Sequence, residues 1–489
     1  MRKLKFTCLL LFFSPFFALS QTQVKFKKVF SGTGYDYGNS AKQTNDKGYI
    51  IGGSTSTSGN GASDMHVMKT DSLGNPYLFK TFGGINIDRG YCIRQTSDNG
   101  YILLGYTNSF GLGGYDFYLV KMDSLLNEQW SKTYGGSDWD FGNCIEPTSD
   151  GGYIMCGSTY SFGSGDQDYY LIKINSIGDT LWTKTYGGTK EDVAKSVIQT
   201  HDGGYLLTGS TKSLGDTLGD IYTIKTDSFG DTLWTNRYSG SLADYGNDIV
   251  ESINGGFLVG GETYSVGYGN ADGLIMQLDS IGGFVRYRTI GGIDFDNITS
   301  ITEDSVGRIG MIGNTFSFDA GDGDFYFFIF NSDFNDYGGA TYGKYESELA
   351  SSVETTADGS FIICGTTTSF NNGLEDIYLI KTDTAGACGA FGGESMFIIS
   401  VEDEAPLENS QFLLFPNPSN DMVSIMLNSP NNLQQNEITI TDYLGRTIKT
   451  TQSNSFPFAI STEQLPNGMY YITLKNEEAV STRKLVVQH

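Results

Sequence analysis

The chain has 489 residues, with 64 Gly, only 9 Pro and an aromatic content of 13%. That length exceeds one ordinary core, so two or more domains are expected, and the Gly-plus-aromatic mixture suits short strands joined by tight turns, excluding a disordered or collagenous chain. With 31 Lys plus Arg against 56 Asp plus Glu, a net charge of −25 repels nucleic acid and anionic membrane, and leaves neutral glycans, cations or basic protein surfaces as partner classes.

Residues 1–20 have the layout of a secretory signal peptide: Arg2, Lys3 and Lys5, an apolar run from Phe6 to Leu19, then Ser20 before Gln21. Cleavage is expected after Ser20. No later stretch approaches ~18 consecutive apolar residues, so no transmembrane segment is expected in the mature chain. No Cys follows the cleavage position, which argues against a lipoprotein. Five Cys remain, at 92, 144, 156, 364 and 388, an odd count without CxxC spacing, so no disulfide framework is indicated. Cys92 and Cys144 align with Ser40, Ser196, Ser300 and Ser352 in the repeat described next, which points to a small buried residue on a crowded inner strand. Cys388 is either free or paired with Cys364.

From residue 23 onward the sequence repeats. Tyr49, Tyr101, Tyr153, Tyr205, Phe257, Ile309 and Phe361 are 52 residues apart, and Asp64, Asp116, Asp168, Asp220, Asp272, Asp324 and Asp376 keep the same step. In the third copy, residues 143–148 predict strand A, 153–158 strand B, 168–174 strand C and 181–186 strand D, with Gly-containing turns between A and B and between C and D. Four short strands in each of seven repeats predict an all-β chain with a seven-bladed β-propeller. D-type strands begin at 24–30, before the first A strand, whereas the seventh A–B–C set ends at Gly386 with no D strand of its own. The N-terminal strand is therefore expected to complete the last blade and close the ring, which removes exposed sheet edges.

These repeats resemble the Gly- and aromatic-rich propeller repeats of exported bacterial proteins. The turn Asp227–Trp234 is also similar to the Asp-box of sialidases and to the tryptophan-docking repeat of quinoprotein dehydrogenases, but its spacing fits neither. The recurring Trp130, Trp182 and Trp234 are read as blade-packing aromatics.

Periodicity ends at Gly386, and residues 389–411, with Glu402-Asp403-Glu404, read as a linker. Alternating segments at 423–427, 437–441, 447–450, 469–474 and 484–487 then predict a small β-sandwich of Ig-like type. Phe415-Pro416-Asn417-Pro418, Asp442-Tyr443-Leu444-Gly445-Arg446, Leu465-Pro466-Asn467-Gly468-Met469-Tyr470 and Arg483-Lys484-Leu485 occur in that order at the C-terminus. Together they resemble the type A sorting domain of type IX secretion. The resemblance implies that Pro416, Asn417, Pro418, Gly445, Arg446, Gly468, Tyr470 and Lys484 form the sorting motif. It also implies that residues 412–489 engage the secretion machinery and a sortase, and that the protein of a Gram-negative bacterium is released or attached at the outer surface. Asp71-Ser72-Leu73 and four similar turns resemble the O-glycosylation sites of that bacterial group, and simple turn formation explains them equally. The expected domains are 1–20, 21–388, 389–411 and 412–489.

The repeat places two rows of acids at one face. Asp36, Asp88, Asp140, Asp192, Asp244, Asp296 and Glu348 stand just before the A strands, and Asp64 with its six equivalents just before the C strands. Such carboxylates suit Ca²⁺, and equally suit capping of the backbone N–H groups in their own loops. A residue repeated in every blade serves the blade, so the capping reading is favoured and no cofactor is required. Ligand sites break symmetry. On that face the departures are Trp139, Phe141, Tyr35, Tyr37, Tyr264 and Tyr268, which suit stacking against sugars.

Catalytic motifs are absent: His66, His201 and His489 have no metal-ligand spacing, and neither a Gly-x-Ser-x-Gly nor a phosphate-binding loop occurs. The reading is a non-enzymatic binding module for a glycan or protein. The alternatives are a glycoside-hydrolase-type enzyme using a carboxylate pair and a passive structural surface protein.

Overall fold

The structure, a computed structural model, describes residues 24–388 except 216–217, 319–321, 345 and 370–373, and beyond them 412–415, 422–427, 436–442, 446–454, 458–466, 468–475 and 480–487. The expected signal peptide and linker lie outside the described residues. Among the described residues every regular element is a strand, and none is a helix long and apolar enough to cross a membrane.

Residues 26–381 form seven four-stranded antiparallel sheets, six of them running A-B-C-D in chain order. In the third, the strands are Asp140–Pro147, Tyr153–Thr159, Asp168–Ile174 and Thr180–Tyr186. Strands B and C are buried on both faces, whereas D alternates between exposed and half-buried residues, as an outer edge requires. The A strand begins three residues earlier than its propensity suggests. A bulge between Gly142 and Cys144 restores the register, so that Asp140 pairs with Thr159. The A-row acids are therefore the first residues of their strands rather than loop residues that precede them, and the C-row acids open theirs, as the predicted span 168–174 places Asp168. Gly142 is required by close approach, since a Cβ there would lie 2.6 Å from the Gly105 carbonyl oxygen of the preceding sheet.

The remaining sheet joins the chain ends: Phe26–Phe30 pairs antiparallel with Asp376–Lys381, beside Phe361–Thr367 and Glu348–Thr355.

Neighbouring sheets are stitched at repeat-equivalent positions. Near the middle of strand A, one residue accepts a backbone N–H from the next sheet: Asp248 from Ile301 at 3.0 Å, Ser300 from Val353 at 3.3 Å, and Ser352 from Ala41 of the first sheet at 3.1 Å. At the end of strand A, Gln95 accepts from Asn45, Gln199 from Ser149, and Gln43 from Ala357 at 2.8 Å. On the outer strands, the hydroxyls of Tyr134 and Tyr186 donate to the carbonyls of Gly178 and Gly230 in the next C–D turn at 2.7 and 2.6 Å. Trp130 and Trp182 pack against those same turns, and Trp182 meets Tyr205 with ring centroids 5.8 Å apart, so these tryptophans are packing residues.

Apolar side chains of strands B and C fill the spaces between sheets, with Tyr101, Tyr169, Tyr205, Phe325 and Phe361 fully buried. Cys364 and Cys388 are not joined: every cysteine of the described residues is a free thiol, and the Cys388 sulfur contacts the carbonyls of Phe26 and Lys381.

In the C-terminal region two antiparallel sheets share one core. Phe412–Phe415, Met422–Leu427 and Phe458–Ser461 form the smaller; Thr447–Ser453, Asn436–Asp442, Gly468–Lys475 and Val480–Val487 form the larger. Ile425, Ile440, Ile472 and Leu485 lie in that shared core.

Candidate functional site

The strand register brings both acidic rows to one end of every sheet, because Asp140 pairs with Thr159 and Thr159 with Asp168. The structure shows what the carboxylates do there. Asp140 accepts the Gly136 N–H at 2.8 Å and the Ser161 hydroxyl at 2.7 Å; Asp88, Asp192, Asp244 and Asp296 hold the equivalent Gly and Ser. Asp36 takes the Thr55 and Thr57 hydroxyls at 2.5 and 2.7 Å, and Glu348 the Thr367 hydroxyl and the Lys344 N–H at 2.5 and 3.0 Å. In the second row Asp64 caps Asn60 and Gly61, Asp116 caps Leu112 and Asp168 caps Ser164. Most of these acids thus hold the loop ahead of their own strand, the ordinary task of Asp at a turn, whereas Asp36 binds the end of the B strand and the loop after it, and Asp220 pairs with Arg237 at 2.7 Å.

The rows also meet across sheets. A Cβ on Gly135 would lie 2.0 Å from Asp116 Oδ1 and 2.6 Å from Asp140 Oδ2, and Gly187 and Gly291 separate Asp168 from Asp192 and Asp272 from Asp296 in the same way. Burial, with mutual repulsion added, pushes the Asp116 and Asp168 carboxyls up and brings Asp272 to about 7. Among the described residues no group of three or more His, Cys, Asp or Glu is disposed to hold a metal ion.

Symmetry breaks at the same face, on the second and third sheets. Tyr106 at the end of a B strand packs edge-on to Tyr115 and Phe141, with centroids 5.1 and 5.0 Å away. Tyr115 meets Trp139 at 5.9 Å, and Trp139 meets Tyr160 at 6.3 Å. Tyr91 extends the cluster toward the centre, 5.5 Å from Tyr106. Trp139 and Tyr160 remain 50% and 39% exposed, so the cluster is a rigid apolar shelf with an open surface. Trp139 and Phe141 are departures the sequence exposes; Tyr106, Tyr115 and Tyr160 were missed. Their signal was a column comparison, since the other repeats carry Ser, Glu, Asn or Thr where Tyr106 stands. Tyr37 borders this cluster through Arg89, which interacts with Tyr106, Tyr91 and Tyr37, while Tyr264 pairs with Tyr245 at 6.4 Å.

Beneath the shelf, A strands from all seven sheets line a common cavity of about 260 Å³. Its wall carries charge that the period conceals: Lys42 pairs with Glu354, Arg94 with Glu146, and Asp248 accepts the Ser196 and Ser300 hydroxyls at 2.8 and 3.0 Å. Burial raises the Asp248 carboxyl and lowers the Lys195 ammonium, the latter against the opposing pull of Glu262. Of the histidines, His66 is buried with Nε2 2.9 Å from the Tyr37 carbonyl oxygen, and His201 is exposed beside Glu251, so the two belong to separate environments.

In the C-terminal region Pro416, Asn417, Pro418 and Gly445 lie outside the described residues. Arg446 donates its backbone N–H and its Nε to the two oxygens of Asp442 at 2.9 and 2.6 Å, tying the end of one strand to the start of the next. Gly468 opens the next strand opposite Val487, Tyr470 donates its hydroxyl to the Pro466 carbonyl at 2.8 Å, and the Lys484 backbone pairs with Tyr471. Residues 413–488 match the family described as the secretion system C-terminal sorting domain. The C-terminal region is a sorting domain. It directs the protein through type IX secretion to the cell surface or beyond it.

No curated protein matches the chain in sequence. Similar solved structures include Sqt1 from Chaetomium thermophilum, 12% identical over 74% of this chain and 87% of that one with a TM-score of 0.41. The polysaccharide lyase Uly1 is 11% identical over 71% and 90%, TM-score 0.45, and the Pan2 WD40 domain of Neurospora crassa 9% over 62% and 91%, TM-score 0.35. The repeated four-stranded sheets, rather than these likenesses, make the protein a β-propeller repeat protein.

Proposed function

We propose that the protein is an exported seven-bladed propeller that binds glycans on the aromatic shelf and is delivered by its sorting domain. Residues 1–20 act as the signal peptide, 21–388 as the propeller, 389–411 as the linker and 412–489 as an Ig-like sorting domain cut by a sortase. Closure of the seven blades into one ring is supported by the bonds from Ala41 to Ser352 and from Ala357 to Gln43, and by the single cavity that all A strands line. The observation that carries the binding role is the break in symmetry: Tyr106, Tyr115, Trp139, Phe141 and Tyr160 form a connected shelf across two adjacent repeats, whereas among the described residues the fifth and sixth repeats carry at these positions only the pairs Tyr245–Tyr264 and Phe295–Phe316. Exposed, pre-ordered aromatic faces bind flat apolar surfaces at little entropic cost, and the C–H face of a pyranose is such a surface. The acids at this face cap their loops, so the role requires no Ca²⁺.

The test is a glycan-array screen of the secreted protein with and without chelator, repeated with Trp139→Ala and Tyr160→Ala. Selective binding that survives chelation and falls about tenfold or more in Trp139→Ala supports the reading. Undiminished binding by both variants, or no glycan bound by the parent protein, overturns it.

A further inference from the structure

The equivalent positions on the seven A strands that stitch sheet to sheet carry Ser in four repeats, Asp248 in one, and Cys92 and Cys144 in two neighbours. The two sulfurs face each other across the second and third sheets at 3.9 Å, and both line the central cavity. The Cys92 sulfur also receives the Ile145 N–H at 3.4 Å, which places it over the strand that bears Cys144. The other thiols do not line the cavity: Cys156 and Cys364 lie on B strands, and Cys388 is bonded to the carbonyls of Phe26 and Lys381. The protein works at or beyond the cell surface, where thiols in contact with one another are oxidised and stay so.

We propose that Cys92 and Cys144 are joined after export in a disulfide that staples the second sheet to the third at the wall of the central cavity. Cys92 is the attacking thiol. Hydrogen bonding with Cys144, opposed by burial and helped by Arg94, favours its thiolate, whereas the same contact and burial disfavour that of Cys144. The oxidant is a disulfide of the envelope, R–S–S–R, carried by a small thiol or a disulfide-exchange protein. The Cys92 thiolate attacks one of its sulfurs, forming a mixed disulfide and expelling RS⁻. The Cys144 thiolate then attacks the Cys92 sulfur and expels the second RS⁻. The pair loses two electrons, which reduce R–S–S–R to two RSH that take up the two thiol protons. Each sulfur needs to move by only about 1 Å to reach bonding distance, a motion the open cavity side permits.

The experiment uses the full secreted protein purified without reductant and alkylated under denaturing conditions. Digestion with trypsin and an aspartate-specific protease cuts before Asp150 and so separates Cys144 from Cys156. The expected result is a peptide pair linking Cys92 to Cys144, about 2 Da lighter than the two thiol peptides and absent when reductant precedes alkylation. Five alkylated cysteines at 92, 144, 156, 364 and 388, or a link that uses any other partner, overturns the proposal. A second measurement compares thermal unfolding of the parent and of Cys92→Ser/Cys144→Ser with and without reductant. Reductant lowers the parent midpoint and leaves the double variant unmoved; an equal response of both proteins contradicts the staple.

Discussion

Replacing Asp272 by Asn isolates the cost of crowding two acidic rows together. Asp272 is 3% exposed, its Oδ2 accepts the Tyr268 N–H at 2.6 Å, and its Oδ1 faces Asp296 across Gly291. Burial, and then repulsion from Asp296, lifts its carboxyl from 3.8 to about 7 against the pull of the Tyr268 bond. A tenfold change in proton affinity corresponds to about 1.4 kcal/mol, so at pH 8.5, with the group ionised in both states, folding carries a penalty of about 4 kcal/mol. At pH 5.5 the folded protein holds the proton that the unfolded chain has released, and the penalty is about 2 kcal/mol. A folded-state value above the unfolded one means that stability grows as pH falls from about 7 toward 3.8, and is lost as pH rises through 7. Asn keeps the acceptor for Tyr268, carries no charge and offers Asp296 a donor. Asp272→Asn is therefore expected to stabilise the protein at both pH values, by about 2 kcal/mol more at pH 8.5, a difference of about 2–4 °C or more in thermal midpoint. Unfolding followed by circular dichroism at the two pH values reads it. An equal shift at both, or a larger one at pH 5.5, refutes the reasoning.

Gly135→Ala tests the same crowding sterically, since its Cβ would meet Asp116 and Asp140 oxygens at 2.0 and 2.6 Å. A loss of roughly 1–3 kcal/mol in urea unfolding is expected, and a neutral effect contradicts the packing described. Tyr186→Phe removes the 2.6 Å bond to the Gly230 carbonyl while keeping the ring. It is expected to cost about 1 kcal/mol, with hydrogen exchange accelerated in the Asp227–Asp231 turn.

Much of the fold was legible because all seven repeats have equal length, so any residue of one strand locates its six counterparts. The A strands are longer than propensity suggests because Asp140 and Gly142 are poor strand formers that a bulge and a close sheet contact keep in register. Phe412–Phe415 and Phe458–Ser461 were missed as strands because Phe-Leu-Leu-Phe and Phe-Ala-Ile-Ser are short runs without apolar–polar alternation. The channel pairs were harder. Arg94 with Glu146 and Lys42 with Glu354 join different repeats, and opposite charges in one repeat column were their only sign. Asp248 was concealed likewise, as the one acid in a column otherwise of Ser and Cys.

The sheet that unites Phe26–Phe30 with Asp376–Lys381 also sets the timing of maturation. Its two partners lie about 350 residues apart, a separation whose closure entropy is met late and which slows folding. The first strand must wait as an unpaired ribbon until nearly all of the repeat array has been synthesised. The sorting domain follows the last partner strand in sequence, so a chain cut short within the array lacks both its clasp and its export address. Completeness of the product and eligibility for export are thereby written into the same end of the polypeptide.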